Sequence, residues 1–537
     1  MTKKQTVIIT TLSIMAIILA LLLSARLWFR ADLTANKAYT ISEVSRGLAD
    51  DIPDQIRISY FVSDKLKTMY PAPGEIEDLI REYVTYARGK IRVQVRDPAK
   101  AGLEEQMQLL GIPAQQMQTV EHDEASFAMV YSGIVIEYLD KYEVIPVVFS
   151  LDTLEYDLTS RIRSLVRGTE RNAGILITDA SKTLEQNYRN LNQVLGLSGY
   201  KVRPLTPGDE IPQTLGAIFV IGSGEGMDDR ALYRIDYYIQ NGGKVFFLPQ
   251  SVQANISNYG ILARKIEDSA LLKMLETYGI TVRDALVLDK AALITTVSTT
   301  GPNGSPIPRL MRYPFWVSVQ PQNGNTAQAL TSNFGGLDLF WPNPLELTPP
   351  AGIEAAPLFT STKEAWLETK DYNINPDQSY LFEVEGDATR GEYILGASLS
   401  GKFPRYFKDD SLIRDSSGDD TLPPMPEGAA ESRIVVIGSS EFINDQYLRD
   451  ERNLSFFVQA ADWLGNDDDI IRIRNRAPKT GHLDKIVDDV RRLGAMAWSR
   501  LLNTVLVPLA VLIFGLVLAW KRKKRTQIAK KEASDAI

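Results

Sequence analysis

The sequence predicts an α/β protein in which two sheet-containing domains are flanked by two transmembrane helices. Three observations support this prediction. Apolar runs of membrane-spanning length stand near both ends of the chain. Between them, short runs typical of β-strands alternate with amphipathic helical segments. The first group of these segments predicts a small sheet with helices, and the second group predicts a larger parallel sheet. The 537 residues leave enough chain for two or three domains outside a bilayer.

The clearer of the two predicted spans is residues 501–520. It contains no charged residue, and a helix of this length rises about 30 Å, the thickness of the hydrocarbon core of a bilayer. Five cations follow directly at 521–525, and the positive-inside tendency therefore places the basic tail, 521–537, in the cytoplasm. The apolar positions before this span predict an amphipathic juxtamembrane helix at 476–500.

The N-terminal segment, 1–30, is predicted to form the other transmembrane helix. Residues 7–23 are apolar apart from two threonines and a serine, and cations stand on both sides of them. A cleavable signal peptide is the alternative, but the apolar run is longer than usual and position 23 suits a processing site badly. With two spans in the cytoplasmic (inner) membrane, both termini are expected in the cytoplasm and residues 31–500 outside it.

The charge distribution agrees with this division and excludes several functions. Residues 31–500 contain 48 basic and 65 acidic side chains, a net charge of −17. An acidic body repels phosphate backbones, so no nucleic-acid partner is expected. The chain has no cysteine and only two histidines, His122 and His482, which removes thiol chemistry and most metal sites and catalytic triads. No cofactor and no metal are predicted, and the acidic run around His122 is interpreted as an exposed loop rather than a metal site.

Residues 31–168 are predicted to form a thioredoxin-like extracytoplasmic domain with the order β-α-β-α-β-β-α. The strands are predicted at 57–62, 91–95, 133–138 and 142–148, and the helices at 75–87, 103–110 and 154–166. Because thioredoxin chemistry needs cysteines, this layout would serve a structural or binding role here.

Residues 169–475 are predicted to form a second α/β domain. Continuous apolar strands that alternate with helices are typical of a parallel sheet covered on both faces. The strands are predicted at 174–178, 217–221, 244–248, 394–398 and 433–437, and the helices at 184–197, 228–240 and 454–464. Residues 291–391 interrupt this pattern and are rich in Pro, Gly, Asn and Thr, so they are predicted to be a β-containing insertion.

Two loops of this domain carry the candidate binding residues. Ligands of open parallel sheets bind at the carboxyl ends of the strands, which is where both loops fall. The candidates are Gly222, Ser223, Gly224, Glu225, Ser439, Ser440 and Glu441. They are predicted to line a polar cleft for an envelope glycan or a peptide; the alternative is that they only form turns and cap helices.

Neither loop carries a complete catalytic motif. The chain lacks a Gly-x-x-x-x-Gly-Lys-Ser/Thr phosphate loop, so it is not expected to be an ATPase. The run 438–442 resembles a nucleophile elbow, but Phe442 stands where the second glycine is needed and no base is near Ser440 in sequence. The chain is therefore predicted not to be an enzyme, with a divergent hydrolase acting through Ser440 as the third alternative.

Short segments spread over nearly the whole chain match one family pattern. They are Asp32-Leu33-Thr34 with Lys37, Tyr39-Thr40-Ile41-Ser42, Arg96-Asp97-Pro98, Leu110-Gly111-Ile112, Gly133-Ile134-Val135-Ile136-Glu137-Tyr138, Glu143-Val144-Ile145-Pro146, Leu154-Glu155-Tyr156-Asp157-Leu158-Thr159, Pro357-Leu358-Phe359-Thr360-Ser361-Thr362 and Val435-Val436-Ile437-Gly438-Ser439-Ser440-Glu441-Phe442. In this order, between two membrane spans, they resemble the GldG-like auxiliary proteins of ABC transporters, a family first associated with bacterial gliding motility.

The resemblance implies a body held in the membrane beside a multi-span ABC permease and a separate ATPase. It also implies that the second domain is GIFT-like, which places it among flavodoxin/amidotransferase-like folds, although the amidotransferase nucleophile would be a cysteine. The predicted function is a non-catalytic auxiliary subunit of an ABC transport system whose partners are the permease, the ATPase and the lipid bilayer. The alternative is a free-standing, membrane-tethered sensor or scaffold that binds glycan or protein.

Overall fold

A computed structural model describes residues 40–465, except 122–123, 152, 169, 258–259, 302, 304, 383–389, 409–421 and 450, together with a few isolated positions nearer the ends. The predicted spans at 1–30 and 501–520, the juxtamembrane helix at 476–500 and the tail at 521–537 therefore lie outside the described residues, apart from those positions. Within the described part of the chain, no helix combines the length and apolar character needed to cross a membrane. The chain divides into two compact units, Met1–Ala477 and Pro478–Ile537.

The first unit begins with a four-stranded sheet. The elements are α1 (Glu43–Asp51), β1 (Ile56–Val62), α2 (Asp64–Met69), α3 (Ala72–Tyr86), β2 (Ile91–Arg96), α4 (Pro98–Ala101), α5 (Glu104–Leu109), β3 (Gln115–Glu121), β4 (Glu124–Val130), β5 (Ser132–Tyr138), β6 (Lys141–Ile145) and α6 (Leu154–Arg167). The strand order is β2-β1-β5-β6, with β1 parallel to β2 and antiparallel to β5. The predicted strands and helices are thus confirmed as elements, although the last strand ends at Ile145 rather than at 148.

Apolar periodicity explains why these segments form this layer. On α3, Ile76, Leu79, Ile80 and Tyr83 follow helical spacing and are all buried against the sheet. One pair of strands stands apart: β3 and β4 pair only with each other, in a two-stranded sheet that the sequence did not reveal.

A second, larger set of elements follows within the same unit. It comprises β7 (Asn172–Ile177), α7 (Leu184–Asn187), α8 (Arg189–Leu197), β8 (Lys201–Leu205), β9 (Ala217–Ile221), α9 (Asp229–Gln240), β10 (Val245–Leu248), β11 (Val252–Ser257), β12 (Gly260–Lys265), α10 (Ala270–Tyr278), β13 (Ile280–Val282), β14 (Leu286–Leu288), β15 (Ala292–Thr300), β16 (Pro306–Val319), β17 (Leu337–Phe340), β18 (Leu345–Leu347), β19 (Ile353–Thr360), β20 (Trp366–Glu368), β21 (Ile394–Gly401), β22 (Ser432–Ile437) and α11 (Arg452–Gly465).

The main sheet of this set has the order β8-β7-β9-β10-β22-β21-β18-β13, with β19 paired to β21. The five strands from β8 to β22 are parallel, as predicted for β7, β9, β10 and β22, whereas β8 was not predicted as a strand. The expectation that 394–398 continues the parallel pattern is wrong, because β21 runs antiparallel to β22. The apolar run of β21 indicates that the strand is buried, but it does not indicate the direction of the strand. Since β21 is antiparallel to its neighbour β22, no crossover helix is needed between them.

The predicted insertion, 291–391, contains strands but does not stand apart from the main sheet. Its strands β18 and β19 pair with β21 in that sheet, whereas β15, β16 and β17 form a three-stranded sheet of their own. The insertion therefore both widens the main sheet and adds a second layer beside it.

Helices cover the main sheet on both faces. On one face, the ring of Phe457 from α11 lies 5.1 Å from Phe246 and 4.7 Å from Phe219, measured between centroids. On the other face, Ile218 and Phe247 join a buried cluster with side chains of α9 and α10. This burial explains why β9 and β10 are apolar at every position.

Two arginines connect the first sheet to the second. The buried guanidinium of Arg161 on α6 donates to Leu197 O at 2.9 Å and lies 3.1 Å from Glu143. Arg171, which directly precedes β7, contacts α6 through its guanidinium group, 5.9 Å from the centroid of the Tyr156 ring. Within the second set of elements, its Nη1 lies 3.6 Å from the buried carboxylate of Asp462 on α11 and donates to Ser198 O at 3.1 Å. These contacts tie the two sheets together through groups that are out of water.

A buried carboxylate on α9 holds the chain after β21. Asp236 Oδ1 accepts hydrogen bonds from Tyr278 and Gln240, at 2.9 and 3.1 Å. Its Oδ2 accepts from the backbone N–H groups of Tyr406 and Phe407, at 2.9 and 3.1 Å. Burial raises the pKa of Asp236 above its ordinary value of 3.8, and these hydrogen bonds oppose the shift without cancelling it.

The raised pKa predicts a pH dependence of stability. Since the folded state keeps the Asp236 proton to higher pH than the unfolded state, the stabilisation is complete below pH 3.8 and is lost as pH rises through the folded pKa. We expect the free-energy advantage of the wild type over Asp236→Asn to shrink from about pH 3.5 towards about pH 7. Urea unfolding of both chains across this range measures it, and a difference that grows with pH would contradict it.

Candidate functional site

The two predicted loops meet two others at the carboxyl edge of the parallel strands. The loop after β9 holds 222–225 and the loop after β22 holds 439–441, and the segments after β7 and β10 add Asp179, Lys182 and Gln250. In the sheet, β8 lies on one side of β7 and β9 lies on the other side. The order in which the chain adds strands therefore reverses between β7 and β9. Such a switch point leaves a crevice in which open α/β sheets bind ligands.

The glycines of the first loop allow a close turn against β7. Gly222 has a backbone φ of 112° and Gly224 one of 71°, values that residues with a side chain rarely adopt. A Cβ on Gly222 would lie 2.4 Å from Thr178 Oγ1, and Gly224 N–H donates to the same oxygen at 3.0 Å. This amide is therefore already used by the protein, which favours a packed turn over an open anion loop.

A buried polar network surrounds Glu441. Its carboxylate forms an ion pair with Lys182 and accepts a hydrogen bond from Asn444 Nδ2 at 2.8 Å. The Ser440 hydroxyl lies 2.9 Å from Gln250 Oε1 and 3.2 Å from Glu441 Oε1. Three of the candidate residues, Ser439, Ser440 and Glu441, are thus at most 3% exposed. Lys182 and Gln250 were missed by the sequence analysis, because nothing in the local pattern marks them.

Ser440 does not have the surroundings of a nucleophile. Its hydroxyl contacts two acceptors, an amide and a carboxylate, and its backbone lies in the ordinary right-handed region at φ −80° and ψ −16°. A nucleophile elbow instead holds its serine in a strained turn beside a base. His482, the histidine nearest to Ser440 in sequence, lies outside the described residues, as does His122.

A hairpin formed by β11 and β12 contacts the loops on both sides of the switch point. Arg264 forms a two-pronged ion pair with Glu225, with one contact at 2.9 Å, and Gln253 Nε2 lies 3.4 Å from Asp179 Oδ2. The hydrogen bond from Arg264 lowers the pKa of Glu225, so this carboxylate is charged at neutral pH. The hairpin therefore joins the loop after β9 to the loop after β7.

The chemistry that this edge offers is polar binding. Three carboxylates, on Asp179, Glu225 and Glu441, face two cations, on Lys182 and Arg264. Gln250 is 1% exposed, and its Nε2 has no hydrogen-bond partner among the described residues, so one buried donor is available. No cluster of three or more His, Asp or Glu side chains within the described ranges could hold a metal ion. Whether the seven candidates form a ligand cleft stays a prediction.

The sequence of this region matches a known family. Residues 170–472, more than half of the chain, match the family described as ABC-type uncharacterized transport system. The chain belongs to this family. Residues 35–137 match a second family, described as a domain of unknown function, DUF7088. The chain is accordingly a member of an ABC transport-system family, and that membership agrees with an auxiliary, non-catalytic role.

Individual relatives add little about function. This family member is 27% identical to an uncharacterized protein of Borreliella burgdorferi over 507 residues, which cover 92% of this chain and 94% of the relative. The N-terminal domain of mmIFT52 aligns with a TM-score of 0.33 at 15% identity, covering 55% of this chain and 98% of its own. An exo-beta-1,4-mannosidase, Op5Man5 of an Opitutaceae bacterium, aligns with a TM-score of 0.23 at 9% identity, over 74% and 50%. Scores this low support no functional comparison.

Proposed function

We propose that this chain is the membrane-anchored, non-catalytic auxiliary subunit of an ABC transport system, with its body outside the cytoplasm beside a separate permease and ATPase. In this proposal the protein is GldG-like, its first part is thioredoxin-like and its second part is GIFT-like. The family match over residues 170–472 carries the proposal. The missing phosphate loop supports it, because an ABC system needs an ATPase that this chain is not expected to supply.

The junction between the two sheets supports a coupling role. Arg161 on α6 donates to Leu197 O, and the Arg171 guanidinium lies over the Tyr156 ring of α6, so both arginines connect α6 to the second sheet. Such contacts have few alternative arrangements, so a displacement of one sheet is expected to move the other. A body of this kind suits a subunit that passes a conformational change from a ligand or partner to a permease.

Co-purification tests the proposal. A tagged full chain, extracted in mild detergent from its native membrane, is expected to bring down one multi-span permease and one ATPase. A tagged variant lacking 1–30 and 501–537 is expected to lose both, because the predicted spans would pack on the permease. Mass spectrometry of the two preparations measures the result. Recovery of the full chain alone would contradict the proposal.

The same truncated variant distinguishes the proposed function from a second candidate, a free-standing sensor or scaffold. A free-standing sensor or scaffold would use the spans only as tethers, so the truncated body would keep its binding to envelope glycan or protein. The polar crevice under the β11–β12 hairpin is the observation that favours a ligand of this kind.

A further inference from the structure

A second polar cavity lies well away from the switch point in sequence. It is formed by the strand β16, the segments around β14 and β20, and a short 3₁₀ segment, Pro376–Phe382, and its volume is about 520 Å³. Cavities of this size are typical of small-molecule sites. Four of its lining side chains are cationic: Lys290, Arg309, Arg312 and Arg390.

The cations of this cavity outnumber the carboxylates around it. Asp289, the carboxylate among the described lining residues, is fully buried and accepts hydrogen bonds from Thr362 N at 2.7 Å and Thr362 Oγ1 at 2.6 Å. A second carboxylate, Glu364, is shared, because the same oxygen lies 2.7 Å from Lys290 Nζ and 2.9 Å from Arg390 Nη1. Among the residues that the structure describes here, two negative charges thus face four positive ones, although residues 31–500 have a net charge of −17.

The two central arginines have few partners within the chain. Arg312 donates to Ala292 O at 2.8 Å, and neither Arg309 nor Arg312 has an ion pair among the residues that the structure describes. Both lie on β16 and line the cavity. Arginine presents a planar set of donors that fits phosphate and carboxylate oxygens.

One wall of the cavity is aromatic and fixed. The Arg390 guanidinium lies over the Trp366 ring, 5.6 Å from its centroid. Phe382 is buried, and its ring packs edge-on against Phe315 at 5.0 Å. Both aromatic residues line the cavity beside its cations, which favours a ligand that carries a ring next to its charge.

We propose that this cavity binds a small anionic ligand in which a phosphate or carboxylate group is attached to a ring, such as an acidic sugar. The arginines of β16 hold the anionic group, and the Trp366 and Phe382 side contacts the ring. This site is separate from the seven candidate residues, and it stands whether or not the chain acts beside a permease.

Calorimetric titration of the full chain in nonionic detergent tests the ligand class. The probes are glucose 6-phosphate, glucuronate, inorganic phosphate and glucose. We expect the first two to bind more tightly than inorganic phosphate, and glucose to give no binding.

The affinity for the anions is expected to fall as salt is raised, because the interaction is between charges. The ratio of glucose 6-phosphate to glucuronate affinity distinguishes a phosphate from a carboxylate ligand. No binding of any anion at low-millimolar concentration would overturn the proposal.

Paired variants locate the site. Arg309→Gln/Arg312→Gln is expected to weaken anion binding roughly tenfold or more, because two charge-assisted contacts are lost. The control, Arg57→Gln/Arg81→Gln, removes the same charge from side chains that are 57% and 59% exposed on the first sheet and its helix, and should change affinity less than about twofold. Thermal melts of both variants confirm folding. An equal loss in both, or no loss in either, would overturn the proposal.

One further variant excludes an internal ligand. The sequence between Phe382 and Arg390 contains Glu383, Glu385 and Asp387. Anion binding that appears only in Glu383→Gln/Glu385→Gln/Asp387→Asn would overturn the proposal, because the carboxylates of the chain itself would then be the groups that the cations hold. Binding of similar affinity in this variant and in the wild type supports an external ligand.

Discussion

Replacing Arg171 by methionine is expected to lower the free energy of unfolding by about 3–5 kcal/mol, the usual cost of removing one partner from a buried ion pair. Arg171 is 11% exposed at its side chain and its partner Asp462 is 1% exposed, so the carboxylate would be left in the interior without its cation. Tyr200 donates to Asp462 at 2.8 Å, and the Arg171 guanidinium lies 5.6 Å from the centroid of the Tyr200 ring. The substitution therefore also removes the contact of the cation with Tyr200 and alters the surroundings of the Tyr200–Asp462 hydrogen bond. Urea unfolding of the full chain, followed by tryptophan fluorescence, measures the loss.

Two comparisons isolate the buried charge as the cause. The double variant Arg171→Met/Asp462→Asn should recover much of the loss, since no uncompensated charge remains. Arg57→Met removes an arginine from an exposed pair with Glu137 and should cost only about 0.5 kcal/mol or less. A loss for Arg171→Met no larger than that of Arg57→Met would show that the packing of α11 against the second sheet does not depend on this ion pair.

Local patterns predicted the first sheet well, with one clear omission. Strands β1, β2 and β5 and helix α3 bury apolar side chains at regular spacing, which is the signal that sequence analysis detects. The hairpin of β3 and β4 was missed because β3 is rich in glutamine and the two strands pair only with each other. Phe127 on β4 is 68% exposed, so its apolar character does not report burial.

The second sheet shows which information a local pattern lacks. Fully buried strands such as β9 and β10 are apolar throughout and were correctly predicted as central and parallel. The same pattern in β21 was interpreted as parallel, whereas its direction depends on how the chain enters from β19 and β20. Sequence therefore fixes burial more firmly than strand direction.

The candidate site was predicted in position but not in its contacts. Sequence analysis placed 222–225 and 439–441 at one edge, because both follow buried strands. The ion pair between Lys182 and Glu441 joins residues 259 positions apart, and only the folded sheet brings them together. The β11–β12 hairpin, which carries Arg264 to Glu225, was also missed, because six-residue strands of mixed polarity give little periodic signal.

The Lys182–Glu441 pair gives the second large expected effect. Lys182→Met should lower the free energy of unfolding by about 3 kcal/mol, the lower end of the range for buried pairs, because Glu441 keeps its hydrogen bonds from Asn444 and Ser440. Asp179 lies 3.7 Å from the same ammonium group and would also lose its cation. Thermal and urea unfolding of the full chain measure the change.

Neutralising both partners shows whether this network serves folding or binding. Lys182→Met/Glu441→Gln should be closer in stability to the wild type than Lys182→Met, since the buried charge is removed with its partner. As a matched control, Lys201→Met breaks an exposed pair with Glu170 and should change stability far less than Lys182→Met does, because water screens the exposed pair. A gain in stability for Lys182→Met would contradict the structural role. The buried pair would then be a cost to the fold, which proteins retain at sites that bind ligands.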